Sequence, residues 1–143
     1  MRKRSTYRPR AATPPMLVNR GLIDADLELR ERMIVEAFAG GWADTSHFDE
    51  LADMRNVLTL AAAYKDDPEA LTLCDTMRIP MGNLRDRHAR TGRLGVTGDE
   101  LQMLRTFVEF YRDWWLRQPV GLYTAACDEL TRAHQTGVIG EAA

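Results

Sequence analysis

The chain of 143 residues is 45% hydrophobic and 28% charged, a composition typical of one globular domain. Its apolar runs fall short of the ~20 residues of a membrane span, and its basic start lacks the apolar stretch of a secretory signal. We therefore expect a cytoplasmic protein without a membrane partner. The two cysteines, Cys74 and Cys127, lack the CxxC spacing of redox or metal sites.

A basic segment precedes an acidic body. Side chains give residues 1–10 a formal charge of +5. Because the whole chain has a net charge of −2, residues 11–143 carry −7. Pro9, Pro14 and Pro15, together with the lack of an amphipathic period, predict an extended basic arm over residues 1–20. Such an arm attracts nucleic-acid phosphates, or it is a solvated tail, or it folds back on the body, and the sequence leaves these alternatives open. The cations of the arm are Arg2, Lys3, Arg4, Arg8 and Arg10.

Two helices are predicted after the arm. Asp24 is placed to cap the first, over about 25–39, and two glycines end it. Ser46 or Thr45 is placed to cap the second, over about 46–65.

A third helix is predicted to begin where Asp67 precedes Pro68, because proline is tolerated at the first helical position. It runs toward Arg90, but Pro80 lacks a backbone N–H and clashes with the preceding turn. We expect a kink, or two half-helices that meet near Ile79.

Five arginines gather at the end of the third helix and its exit. They complement the negative end of the helix dipole and form a solvated face, or they form an anion or nucleic-acid patch that continues the basic arm. His88 among them is interpreted as a surface residue, because no sequence neighbour supplies a catalytic partner. The five are Arg78, Arg85, Arg87, Arg90 and Arg93.

The helix predicted over about 97–116 has the densest apolar content of the chain. Thr97 and Glu100 have the spacing of a capping box, and Val96 and Leu101 that of a hydrophobic staple. Apolar residues cover about half of its circumference, which favours a core helix covered by its neighbours. Alternatively, its C-terminal end stays open as a protein interface, including that of a homodimer. The interface candidates are Phe110, Tyr111, Trp114, Trp115 and Leu116.

A fifth helix is predicted over about 120–135, and residues 138–143 are predicted to be a frayed tail. No alternating pattern indicates a strand. The sequence therefore predicts an all-α, single-domain bundle of about five helices over residues 21–137, preceded by the basic arm.

No residue pattern in the sequence indicates catalysis, a cofactor or a metal. The histidines are isolated, and the nearest candidate, His47 with Asp44 and Glu50, is better explained by capping and solvation of a helix start. The glycine-rich segment 91–98 lacks the Gly-Lys-Ser/Thr ending of a phosphate loop, so we interpret it as a helix connection. We expect a protein that is not an enzyme.

Three segments, KRSTYRPR, GWADTSHFDELADMRNVLTLAA and ARTGRLGVTGDELQMLR, resemble a group of small uncharacterised helical proteins encoded by phages, prophages and plasmids of proteobacteria. The similarity covers most of residues 2–116. It implies a mobile-element origin and favours a regulator or inhibitor that binds a macromolecule of the host or of the element. We expect that macromolecule to be a protein, and the alternative is nucleic acid bound by the basic arm and the arginines of residues 78–93.

Overall fold

The computed structural model describes the backbone of residues 13–136 and the side chains of residues 24–136. Residues 13–136 form six α-helices and no strand, so the predicted all-α bundle is confirmed. The helices are α1 (Thr13–Gly40), α2 (Thr45–Lys65), α3 (Pro68–Thr76), α4 (Arg78–Thr91), α5 (Gly98–Leu116) and α6 (Val120–Thr136).

The first helix starts earlier than the sequence predicted. α1 begins at Thr13, so residues 13–20 are helical and Asp24 lies inside the helix, not at its cap. Pro14 and Pro15 fall in the first turn, where backbone N–H groups have no intrahelical acceptor, so their missing N–H costs little. The rest of the predicted arm and the predicted frayed tail lie outside the described residues.

The start of α2 is fixed by Asp44, one residue before Thr45 and two before Ser46, the two predicted caps. Its carboxylate accepts from the backbone N–H groups of Ser46 at 2.9 Å and of His47 at 3.4 Å, and the Nδ1 atom of His47 accepts from the backbone N–H of Asp44 at 3.0 Å. This reciprocal arrangement is a capping box in which a histidine takes the place of the usual Glu or Gln.

The interruption caused by Pro80 produces two separate helices. Asp67 caps α3 and Pro68 opens it, as predicted, but α3 ends at Thr76 and α4 begins at Arg78. The break at Met77 lies two residues before the predicted junction at Ile79, because a proline ring displaces the carbonyl about one turn before it.

The core is built on α2 and α5. α1 packs along α5, while α2 packs against both α3 and α6. The prediction that α5 is a core helix is confirmed, and its capping box joins the Thr97 and Glu100 side chains to each other's backbone N–H groups as predicted. α2 contributes an equally large buried set: Phe48, Leu51, Ala52, Met54, Val57, Leu58, Ala61 and Ala62.

Candidate functional site

The aromatic end of α5 belongs to the core and does not form an open surface. Tyr111, Trp114 and Trp115 are each at most 3% exposed. Phe110 is half-buried, and Leu116 is 39% exposed at the end of the helix. The predicted interface is therefore wrong for Tyr111, Trp114 and Trp115, whose rings are buried. Only Leu116 and part of Phe110 are accessible to a partner.

Contacts from other helices explain this burial. Trp115 lies edge-on to Trp114 and to Tyr123 of α6, with ring centroids 4.9 Å apart in both pairs. The Nε1 atom of Trp114 donates to Oδ2 of Asp67 at 2.8 Å, and this bond lowers the pKa of the Asp67 carboxyl. Burial raises the pKa of Tyr123 to about 12. The aromatic end is thus closed by α6 on one side and by the start of α3 on the other.

The predicted arginine cluster does not act as one surface. Arg87 donates from Nη1 and Nη2 to the two carboxylate oxygens of Glu100, at 2.9 and 3.0 Å, and also to the backbone oxygen of Gly95. Glu100 is only 7% exposed, and the Arg87 hydrogen bond holds the pKa of its carboxyl below the ordinary range. Arg87 therefore fixes the connection between α4 and α5, and it is not placed to bind an external anion.

The other arginines of the cluster are exposed but fall into two groups. Arg90 and Arg93 lie at the end of α4 and beyond it. Arg78 and Arg85 line a small pocket together with Arg55 of α2. Arg55 was not among the residues predicted from the sequence. The spacing of Arg78 and Arg85, seven residues or two helical turns apart, was visible in the sequence, but the partner on α2 was not.

The histidines and acids of the described residues form no metal centre. No group of three or more His, Cys, Asp or Glu side chains within this part of the chain is placed to hold a metal ion. His47 is part of the capping box of α2, in agreement with the prediction that helix capping explains the residues around it. His134 is exposed near the end of α6.

An open apolar groove lies between the second half of α2 and the first half of α6. Its volume is about 610 Å³. Leu60 and Tyr64 line it from α2, while Leu122 and Ala125 line it from α6. Tyr64 is 80% exposed, although it is a large aromatic residue. We call this feature the α2–α6 groove.

A second group of exposed apolar side chains lies where α1 passes the start of α2. Leu29 and Met33 are 55% and 47% exposed, and both line a hollow that also includes His47. Trp42 is 57% exposed, and its ring lies edge-on to the His47 ring at 5.4 Å. The hollow is smaller than the groove, at about 290 Å³, and ion-paired Arg30 occupies part of its lining.

Comparisons with protein-family models, with curated proteins and with solved structures find no match. Within the described residues, no helix is long and apolar enough to cross a membrane.

Proposed function

We propose that the protein is a non-enzymatic binding protein of a mobile genetic element, which acts as a regulator or inhibitor by holding a helix of a host or element-encoded protein in the α2–α6 groove. The observation that carries the proposal is the open apolar groove of about 610 Å³, with Tyr64 80% exposed beside it. The mobile-element setting rests on the sequence resemblance, and the mode of binding rests on the groove.

The floor of the groove suits the close approach of another helix. Ala61 and Ala126 are buried at its base, and Gly121 and Ala125 line the α6 side. Small residues at a helix contact let the partner backbone approach closely, and apolar side chains of an amphipathic helix then fill the groove at i, i+3/i+4 and i+7 spacing.

The walls of the groove supply the anchor expected of a protein interface. Tyr64 combines a large apolar ring with a hydroxyl group, and tyrosine is enriched at sites that contribute most of the binding energy. The margins carry one cation, Lys65, and one anion, Glu129. Because these charges have opposite signs, we expect apolar contact to dominate the affinity and added salt to weaken it little.

Selection of peptides from a displayed random library tests the proposal without a known partner. Wild-type protein should enrich peptides with apolar residues at helical spacing. Ala125→Gln places a longer side chain in the groove at an exposed helical position, so affinity for those peptides should fall about tenfold or more. Tyr64→Ala should also weaken binding while leaving stability nearly unchanged, since the ring is 80% exposed.

The matched control is Ala63→Gln. Ala63 is an exposed alanine on α2 that does not line the groove, so the same chemical change there should leave peptide affinity unchanged. Peptides that bind the Ala125→Gln protein as well as wild type, or that lack helical spacing, would contradict the proposal. Loss of binding on Met33→Gln alone would place the interface at α1 and the start of α2 instead.

A second candidate function is nucleic-acid binding, which the exposure of Arg90 and Arg93 favours. Counterion release would make such binding fall steeply between 50 and 200 mM salt, by roughly 10-fold or more for a few phosphate contacts. Arg90→Gln with Arg93→Gln should weaken DNA or RNA binding at low salt. An interaction that survives nuclease and high salt would exclude this alternative.

A further inference from the structure

A small pocket between α2 and α4 brings together three arginines from distant parts of the sequence. Its volume is about 110 Å³, and it is separate from the α2–α6 groove. Each helix presents a stripe two turns long to the pocket. The lining residues are Phe48, Ala52 and Arg55 of α2 and Arg78, Met81, Gly82 and Arg85 of α4.

Arg55 is held in place by the protein. Its Nε atom donates to the backbone oxygen of Cys74 at 2.8 Å, near the end of α3, and its Nη1 atom lies 3.4 Å from Oδ1 of Asn56. These contacts restrain the half-buried Arg55 side chain, which lines the pocket, so little side-chain entropy is lost there when an anion binds. Burial lowers the pKa of Arg55, and the nearby Arg78 charge lowers it as well.

We propose that this pocket binds a dianionic phosphoryl group, the chemistry shared by inorganic phosphate and the phosphate of a monoester. Guanidinium groups offer planar pairs of donors that match phosphoryl oxygens. Three such groups around one pocket favour a dianion over a monoanion, because the Coulomb attraction scales with ligand charge. The repulsion between Arg55 and Arg78 is relieved when an anion sits between them.

The size and walls of the pocket limit the ligand. At about 110 Å³ the pocket is small and open to solvent, so it takes one phosphoryl group and leaves any attached organic group outside it. Phe48 and Met81 supply apolar walls, and a less polar surrounding strengthens charge-assisted hydrogen bonds. The only ion pair that competes at Arg78 within the described residues is a long one, 3.8 Å from Asp75, between two exposed side chains.

Calorimetric titration of the full chain tests the proposal, with inorganic phosphate, methyl phosphate and dimethyl phosphate as probes at pH 8 and fixed ionic strength. Methyl phosphate is a dianion there, since the second pKa of a phosphomonoester is about 6, and inorganic phosphate is mostly a dianion at this pH, whereas dimethyl phosphate carries one charge. We expect the two dianions to bind and the diester to bind at least about tenfold more weakly. Saturable binding of phosphate but not of methyl phosphate would show an inorganic ion as the source and keep the proposal.

Three variants separate the pocket from general surface charge. Arg78→Gln and Arg85→Gln should each weaken phosphate binding about tenfold or more, because each removes a charged donor. Gly82→Leu keeps all three arginines but fills the pocket, since nothing lies within 4 Å of an added Cβ at this position, and it should abolish binding. Arg90→Gln, an exposed arginine of the same helix outside the pocket, is the matched control and should bind as wild type.

Three results would overturn the proposal. The first is no measurable phosphate binding by wild type. The second is phosphate affinity that is equal in wild type, Arg78→Gln, Arg85→Gln and Gly82→Leu. The third is dimethyl phosphate binding as tightly as phosphate, which would show that the site does not select a dianion. None of these results bears on the α2–α6 groove, so the two proposals fail separately.

Discussion

Replacing Trp114 with Phe tests the contact that docks α5 against the start of α3. The indole Nε1–H donates to Asp67 at 2.8 Å, and Asp67 also caps α3 by accepting from the backbone N–H of Ala70 at 3.2 Å. A hydrogen bond to a charged group contributes about 1.5–3 kcal/mol, and the lower end applies because Asp67 is partly exposed and water replaces the indole. The smaller ring loses about 1 kcal/mol of apolar burial and leaves a void of similar cost. We therefore expect Trp114→Phe to lower the free energy of unfolding by about 3 kcal/mol.

Urea unfolding followed by far-ultraviolet circular dichroism measures this change, and a double-mutant cycle with Asp67→Ala isolates the hydrogen bond. The coupling free energy between the two positions should be about 1–1.5 kcal/mol. Trp42→Phe is the matched control, because Trp42 is 57% exposed, and its cost should stay within about 0.5 kcal/mol. A coupling within about 0.5 kcal/mol of zero, the usual error of additivity, would refute the contact between indole and carboxylate.

Three further predictions concern acid, a helix end and alkali. The Arg87 contact lowers the pKa of Glu100, so the stability from this pair is present above the unfolded pKa of about 4.3 and is lost as pH falls through the folded pKa. Glu100→Gln should therefore flatten the fall in the free energy of urea unfolding between pH 5 and 3, and an unchanged slope would contradict this. Gly92 ends α4 with φ 76° in open space, so Gly92→Ala should cost about 1 kcal/mol in the same urea assay while Gly95→Ala, also in open space, costs little. Burial raises the pKa of Tyr123 to about 12, so the stability that its neutral phenol contributes is fully present below the unfolded pKa of about 10 and falls as pH rises toward 12. An ultraviolet titration in which every tyrosine ionises near pH 10 would show this ring to be solvated.

Features set by neighbouring residues could be predicted from the sequence. The start of α5 was predicted because the capping box of Thr97 and Glu100 is a contact between residues three apart, and the structure contains it. The start of α3 at Asp67 and Pro68 has the same local origin. The start of α1 was missed because Pro14 and Pro15 suit both an extended chain and the first turn of a helix.

Features set by tertiary packing could not be predicted. Helical periodicity correctly placed Tyr111 and Trp115 on one face, but it cannot tell whether another helix covers that face, and here Tyr123 of α6 does. Sequence spacing likewise grouped Arg87 with its neighbours, although its partner Glu100 lies 13 residues away on the next helix.

The two proposed sites were missed for the same reason. The α2–α6 groove joins Leu60 and Tyr64 to residues about 60 positions later in the chain, and neither half forms a concave surface by itself. The arginine pocket joins Arg55 to Arg78 and Arg85, which line the same pocket only because the fold brings part of α2 near part of α4.

The central claim is that the α2–α6 groove is the binding surface. Site-specific photo-crosslinking in the native cells tests this claim most directly. A benzoyl-phenylalanine in place of Tyr64 should crosslink to one partner protein, within a helical segment that carries apolar residues at i, i+3/i+4 and i+7. The same group in place of Ile79, which is 70% exposed on α4, should give no such product, and Ala125→Gln should remove the product formed at position 64. Equal products from positions 64 and 79, or a product that persists with Ala125→Gln, would contradict the claim.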